Sequence, residues 1–160
     1  MKNSYSKSDE IRAVLIQTGE ERVLLPNATL AETLARVPVE YIANTPPWLL
    51  GQIAWHGWKV PLLSYARFNG HDEPLNDNNK VVVLKALGNN HERPYLALLT
   101  QNFPHLLTVS RDGLLVDASE GHLPPGVRMR VLLDEQVVLL PDLDVLETAT
   151  LAALTAVDEA

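Results

Sequence analysis

The chain of 160 residues is 46% hydrophobic and 21% charged, a balance that buries a real core in one domain or in two small lobes sharing one. It contains no cysteine, which excludes a disulfide framework and a thiolate metal site. Its net charge of −7 is uneven, with 7 basic and 6 acidic residues over 1–70 against 6 basic and 14 acidic over 71–160; no Lys/Arg stripe offsets it, so nucleic acid is not an expected partner.

Residues 1–10, MKNSYSKSDE, are polar, lack the apolar core of a secretory signal, and read as a flexible N-terminal arm. Ile11–Gln17 and Arg22–Pro26 read as a strand pair around TGEE. Asn27–Val37 reads as a short helix, centred on 28–37, with Asn27 or Thr29 as cap and Leu30, Leu34 and Val37 on one stripe. YIANTPPWLLG is extended and turn-rich because of Pro46 and Pro47.

GQIAWHGWKVPLLSY, Gly51 to Tyr65, then reads as a hairpin turning at His56-Gly57. That turn sets Trp55 opposite Trp58, Ile53 opposite Val60 and Gly51 opposite Leu62. Alternation puts those six on one face and Gln52, Ala54, Lys59 and Pro61 on the other. The Trp pair has two readings: a cross-strand aromatic pair closing the end of a barrel, or a partly exposed contact anchor.

Asn69–Asn79, NGHDEPLNDNN, is the clearest linker. KVVVLKALG and RPYLALLTQ form a second strand pair around NNHE. Val127–Leu143 reads as a second hairpin turning near Asp134-Glu135, with apolar residues on both alternation faces, which implies burial on both sides or a docking surface. The tail DVLETATLAALTAV reads as a closing helix with Leu143, Leu146, Leu151, Leu154 and Val157 on one side. No apolar run approaches the roughly 18 residues of a membrane span, so the expectation is a cytoplasmic protein without direct membrane insertion.

The halves resemble one another. AVLIQTGEERVLLP matches VVVLKALGNNHERPYLAL in kind, and IAWHGWKVPLLSY aligns without gaps on VLLDEQVVLLPDL. The expected fold is mainly β: two small β-barrels packed around a shared core, the first over about 11–68 and the second over about 80–146. Residues 69–79 link them, and a C-terminal helix over 147–160 follows.

The pattern carries no catalytic constellation. The five histidines, His56, His71, His91, His105 and His122, are scattered without HExxH or an i, i+4 pair. No nucleophile elbow, P-loop or dinucleotide motif occurs. The acid pairs Glu20-Glu21, Asp72-Glu73 and Asp134-Glu135 fall in turns and read as solvated. A hydrolase using His56 or His122 needs a nucleophile in reach, and Ser64 and Ser119 have no supporting motif. No catalysis, cofactor or metal is expected.

The run YIANTPPWLLGQIAWHGWKVPLLSYARF resembles the CheW family of bacterial chemosensory adaptors. The pieces are IANTP (Ile42–Pro46), Gly51, AWHG (Ala54–Gly57), Val60-Pro61 and LSYAR (Leu63–Arg67), and the likeness extends more loosely over Ile11 to Leu146. The resemblance implies barrels of the SH3-like kind and a non-enzymatic scaffold. It couples methyl-accepting chemoreceptor signalling tips to the regulatory domain of a CheA-type histidine kinase, which has the same fold. By position, Leu30, Glu32, Leu98 and Leu99 correspond to receptor-contact segments, and Gly51, His56 and Trp58 belong to the hairpin that faces a partner. The family's tip Arg, which pairs with the acid at Glu32, is His56 here. A neutral imidazole does not reproduce a guanidinium–carboxylate fork, so a weaker, pH-sensitive His56–Glu32 pair is expected. Val-Asp-Leu becomes Leu63-Ser64-Tyr65. These departures point to an accessory adaptor of the kind found in type IV pilus chemosensory systems for twitching motility. The competing reading is a peptide-binding β-barrel module that recruits another signalling partner without kinase coupling.

Overall fold

A computed structural model describes residues 10–88, 92–116 and 121–159. The expected arm falls outside these apart from Glu10, as do His91 and Ser119. Among the described residues, eleven strands are distributed over two sheets. They are β1 (Glu10–Thr18), β2 (Glu21–Pro26), β3 (Leu30–Leu34), β4 (Leu49–Trp55), β5 (Trp58–Leu63), β6 (Lys80–Lys85), β7 (Tyr95–Thr100), β8 (His105–Ser110), β9 (Leu114–Val116), β10 (Val127–Leu133) and β11 (Gln136–Pro141). Two helices, α1 (Tyr65–Phe68) and α2 (Leu143–Glu159), complete the fold.

The sheets follow the internal repeat with an exchange. One runs β8-β1-β2-β11-β10-β9 and the other β3-β6-β7-β5-β4. Each holds an antiparallel hairpin, β1–β2 or β6–β7, laid parallel against the return strand of a second hairpin, β11 or β5. The leading hairpin of each copy therefore sits in the sheet built by the other copy, so the sheets do not divide the chain into 11–68 and 80–146. Both leading hairpins carry the same apolar pattern, and that pattern is silent about which sheet receives which. Among the described residues neither sheet closes into a barrel by main-chain bonding. The edges of the first, β8 and β9, are joined by a single 3₁₀ turn, Arg111–Gly113, and those of the second are β3 and β4.

Three apolar layers alternate with the two sheets. Val14, Ile16, Val23, Leu25, Leu63, Val82, Leu84, Leu98 and Leu146 build the shared middle layer. Ile53, Val60, Leu62, Val81, Val83, Ala97 and Leu99 fill the far side of the five-stranded sheet. Ala13, Leu24, Val109, Val131 and Val138 fill the far side of the six-stranded one. Strands buried on both faces need no polar alternation, which is why VVVL of β6 and LALL of β7 read as unbroken apolar runs.

Three local expectations change. The helix expected over 28–37 is a 3₁₀ turn, Asn27–Thr29, followed by strand β3, which pairs antiparallel with β6. A bulge between Leu30 and Glu32 sends Leu30 to the shared layer and Leu34 to the other, so an i, i+4 pair that mimics a helical stripe belongs to a strand. β-branched Thr29 and Thr33 weaken the helix, and the β6 ladder supplies the competing main-chain bonds. The C-terminal helix begins earlier, at Leu143, where Asp142 Oδ1 accepts the Val145 N–H at 3.3 Å. Its buried stripe is Leu143, Leu146, Thr150 and Leu154, and Leu151 points outward at 42% exposure.

The third change concerns the linker. Residues 69–79 contain no strand or helix, yet Glu73 is 1% exposed. Its Oε1 accepts Ser64 Oγ–H at 2.8 Å, while Oε2 accepts Gln101 Nε2–H at 2.7 Å and the Gly19 N–H. The carboxylate thus ties the β1–β2 turn, the end of β5 and the segment after β7 to one point. Tyr65, fully buried and next to Ser64 in sequence, donates its hydroxyl to the Gly126 carbonyl at 2.8 Å, and burial pushes its phenol well above the ordinary value.

Candidate partner-binding site

The Trp hairpin forms in the expected register: Trp55 opposite Trp58, Ile53 opposite Val60, Gly51 opposite Leu62. Its two-residue turn has His56 at φ 47° and Gly57 at φ 82°, both left-handed, as a type I′ turn requires. Histidine is among the residues that tolerate this region, and glycine adopts it without a Cβ penalty. Ile53, Val60 and Leu62 are buried, and they anchor the hairpin in the outer layer of the five-stranded sheet.

The two indoles separate in role. Trp55 is half-buried and packs on that apolar layer. Trp58 remains 38% exposed. Tyr95, at the start of β7, stands edge-on to both, with ring centroids 4.7 Å from Trp55 and 6.0 Å from Trp58. Such pairs add about 0.5–1.5 kcal/mol beyond burial and brace the tip. Trp55 thus follows the packing reading, and Trp58 keeps the exposure that the contact reading requires.

Glu32 reaches the tip from β3. Its Oε1 accepts Trp55 Nε1–H at 3.0 Å and lies 3.2 Å from His56 Nε2. Because β3 and β4 are the two edges of the sheet, this carboxylate bridges with side chains a gap that the main chain leaves open. The expected His56–Glu32 pair is present, but the indole is a second donor to the same oxygen. The Trp55 hydrogen bond, followed by that of His56, holds the Glu32 carboxyl below its ordinary value.

The other residues singled out by sequence lie elsewhere. Leu30 is half-buried on the shared layer. Gly51 is buried under the segment that crosses β4: a Cβ there stands 2.4 Å from the Glu40 carbonyl oxygen and 2.9 Å from Val39 Cγ1, and its φ is 151°. This close approach permits the Glu40–Gln52 bridge, with main-chain bonds of 2.8 and 2.9 Å. Glu40 also pairs with Lys59 at 2.9 Å. Leu98 is sealed in the shared layer, and Leu99 is buried in the outer one. The structure thus brings Glu32, His56 and Trp58 together and leaves Leu30, Gly51, Leu98 and Leu99 off that surface. Tyr95 is the member that sequence reasoning missed; only the parallel β5–β7 pairing brings it there.

At the opposite end of β5 an apolar groove of about 600 Å³ opens between Val37, Val39, Leu50, Leu62, Val81 and Leu99. Ser64, weighed above as a nucleophile, is buried and donates to Glu73. Among the described residues no cluster of His, Asp and Glu has the makings of a metal site, and no helix is long and apolar enough to cross a membrane.

Residues 12–149 match the family model of the CheW-like domain. Among curated proteins none matches in direct comparison. Among solved structures, the fold is similar to the crystal structure of the scaffolding protein TtCheW from Thermoanaerobacter tengcongensis. The TM-score is 0.69 at 15% identity, over 83% of this chain and 89% of that one, a likeness of fold.

Proposed function

The chain belongs to the CheW-like family, and from that premise we propose that it is a non-enzymatic cytoplasmic adaptor coupling chemoreceptors to a CheA-type histidine kinase. Its Trp hairpin tip docks on the regulatory domain of that kinase. The observation that carries this reading is Trp58: an indole 38% exposed, braced by Tyr95 on a rigid two-residue turn. Exposed aromatics in preorganised positions dominate protein–protein contacts. Receptor signalling tips lie along β3 at Leu30 and Glu32, with Leu98 and Leu99 shaping that surface from the layers beneath.

Calorimetric titration of the chain against the regulatory domain of a CheA-type kinase from the same cell tests the proposal. Saturable binding near 1:1 is expected at micromolar strength, and Trp58→Ala weakens it by about 2 kcal/mol or more with the fold intact. A folded, monomeric chain that does not bind the domain refutes kinase coupling.

The groove beyond Leu62 favours a second reading, a module that takes an extended apolar peptide segment. Amide shift mapping separates the two: a kinase domain perturbs the surroundings of Trp58, and a peptide perturbs Leu50 and Val81.

A further inference from the structure

Glu32 has binding capacity that the hairpin leaves unused. Both of its hydrogen bonds fall on Oε1, and Oε2 accepts none among the described residues. A carboxylate offers about four lone-pair sites on its two oxygens, so half of this one is available. The side chain is 43% exposed, and His56, its sole ion-pair partner among the described residues, is 68% exposed. Beside it lie three aromatic rings, Trp55, Tyr95 and Trp58, the last with more than a third of its surface open.

We infer that this corner recognises an arginine side chain presented by a partner protein, its guanidinium donating to Glu32 Oε2 and its plane resting on the Trp58 indole. Arginine fits better than lysine. A planar guanidinium donates in a fork and stacks on an aromatic face at once, whereas an ammonium is a compact, strongly hydrated point charge. The carboxylate charge of Glu32 itself complements a cationic side chain at this corner. Among the described residues the His56 ring meets Glu32 Oε1 and stands perpendicular to the Trp55 ring, so it yields to a stronger donor without disturbing the β-ladder. The inference rests on the hairpin tip being the contact surface proposed above, and it names the chemistry that the partner brings.

The test uses the full chain and the indole N–H signals of its tryptophans, titrated with N-acetyl-arginine amide and, at equal ionic strength, with N-acetyl-citrulline amide. Citrulline keeps the shape and removes the charge. Arginine is expected to shift the Trp55 and Trp58 signals saturably in the millimolar range, with Trp48, packed on Phe68 at 4.9 Å, as the unmoved internal reference. Glu32→Gln, judged folded by its backbone spectrum, loses the response. Equal responses to citrulline, an undiminished response in Glu32→Gln, or no response at all overturns the inference. With the kinase regulatory domain, Glu32→Gln is expected to weaken binding about tenfold, as loss of a charge-assisted contact does. Kinase binding that ignores Glu32→Gln overturns the arginine site and leaves the adaptor reading standing. Arginine-dependent shifts without kinase binding support the site and refute kinase coupling.

Discussion

Glu73 and Glu32 both join parts of the fold that the β-ladders leave apart, and they do so in opposite surroundings. Glu73 is buried, and its two oxygens take three donors from three separate segments. Glu32 is exposed, and its two donors crowd onto one oxygen at the rim of a sheet. Burying a carboxylate costs several kcal/mol unless hydrogen bonds replace its hydration, so the interior glutamate is fully partnered. Water serves the free oxygen at the rim without such a penalty. Room for recognition therefore lies at the rim: a carboxylate with both oxygens partnered holds the fold, and the half-used one at an aromatic corner is the one we propose for a partner.

The largest expected effect comes from breaking the interior member. Glu73→Ala leaves the Gly19 N–H and the Ser64 hydroxyl without their acceptor, and the Gln101 amide with the Pro74 carbonyl alone. An unsatisfied buried donor costs about 1–3 kcal/mol, so the two buried ones predict a loss of about 2 kcal/mol or more in urea unfolding. Glu73→Gln retains an acceptor oxygen and is expected to fall between. A loss below about 1 kcal/mol for Glu73→Ala would remove the contrast, because water would then be serving both sites alike.

The same contrast explains what sequence could reveal. Both two-residue hairpins were legible because their determinants are local: a two-residue turn between apolar strands fixes the register, and the observed pairs at Trp55–Trp58 and Leu133–Gln136 follow from it. Glu32 with His56 was legible only through the family likeness. Glu73 was not, and it read as a solvated linker acid. Its partners at Gly19 and Gln101 lie 54 residues before it and 28 after it, where local composition carries no signal. β3 was misread because a bulged edge strand reproduces helical spacing. Leu98 and Leu99 are adjacent on a strand buried on both faces, so one side chain enters each apolar layer, and Leu99 meets the outside only along the groove.

The smallest effects concern the rim. The carboxyl of Glu32 titrates below its ordinary value near 4.5, first because Trp55 Nε1–H donates to it and second because His56 does. Trp55→Phe removes the larger cause, so the Glu32 side-chain carboxyl carbon, followed by NMR, is expected to titrate at higher pH. His56→Asn, which keeps a residue tolerant of the left-handed turn, raises it less. The reverse order would mean that the indole bond does not form in solution. A folded-state pKa held below the unfolded one contributes stability above the unfolded value and loses it as pH falls through the folded one. The contribution of Glu32 is therefore complete at neutral pH and disappears in the acid range below 4.5. Solvent screens so exposed a group strongly. Glu32→Gln is accordingly expected to leave the neutral unfolding midpoint unmoved within error while removing the arginine response, which separates recognition at the rim from support in the interior.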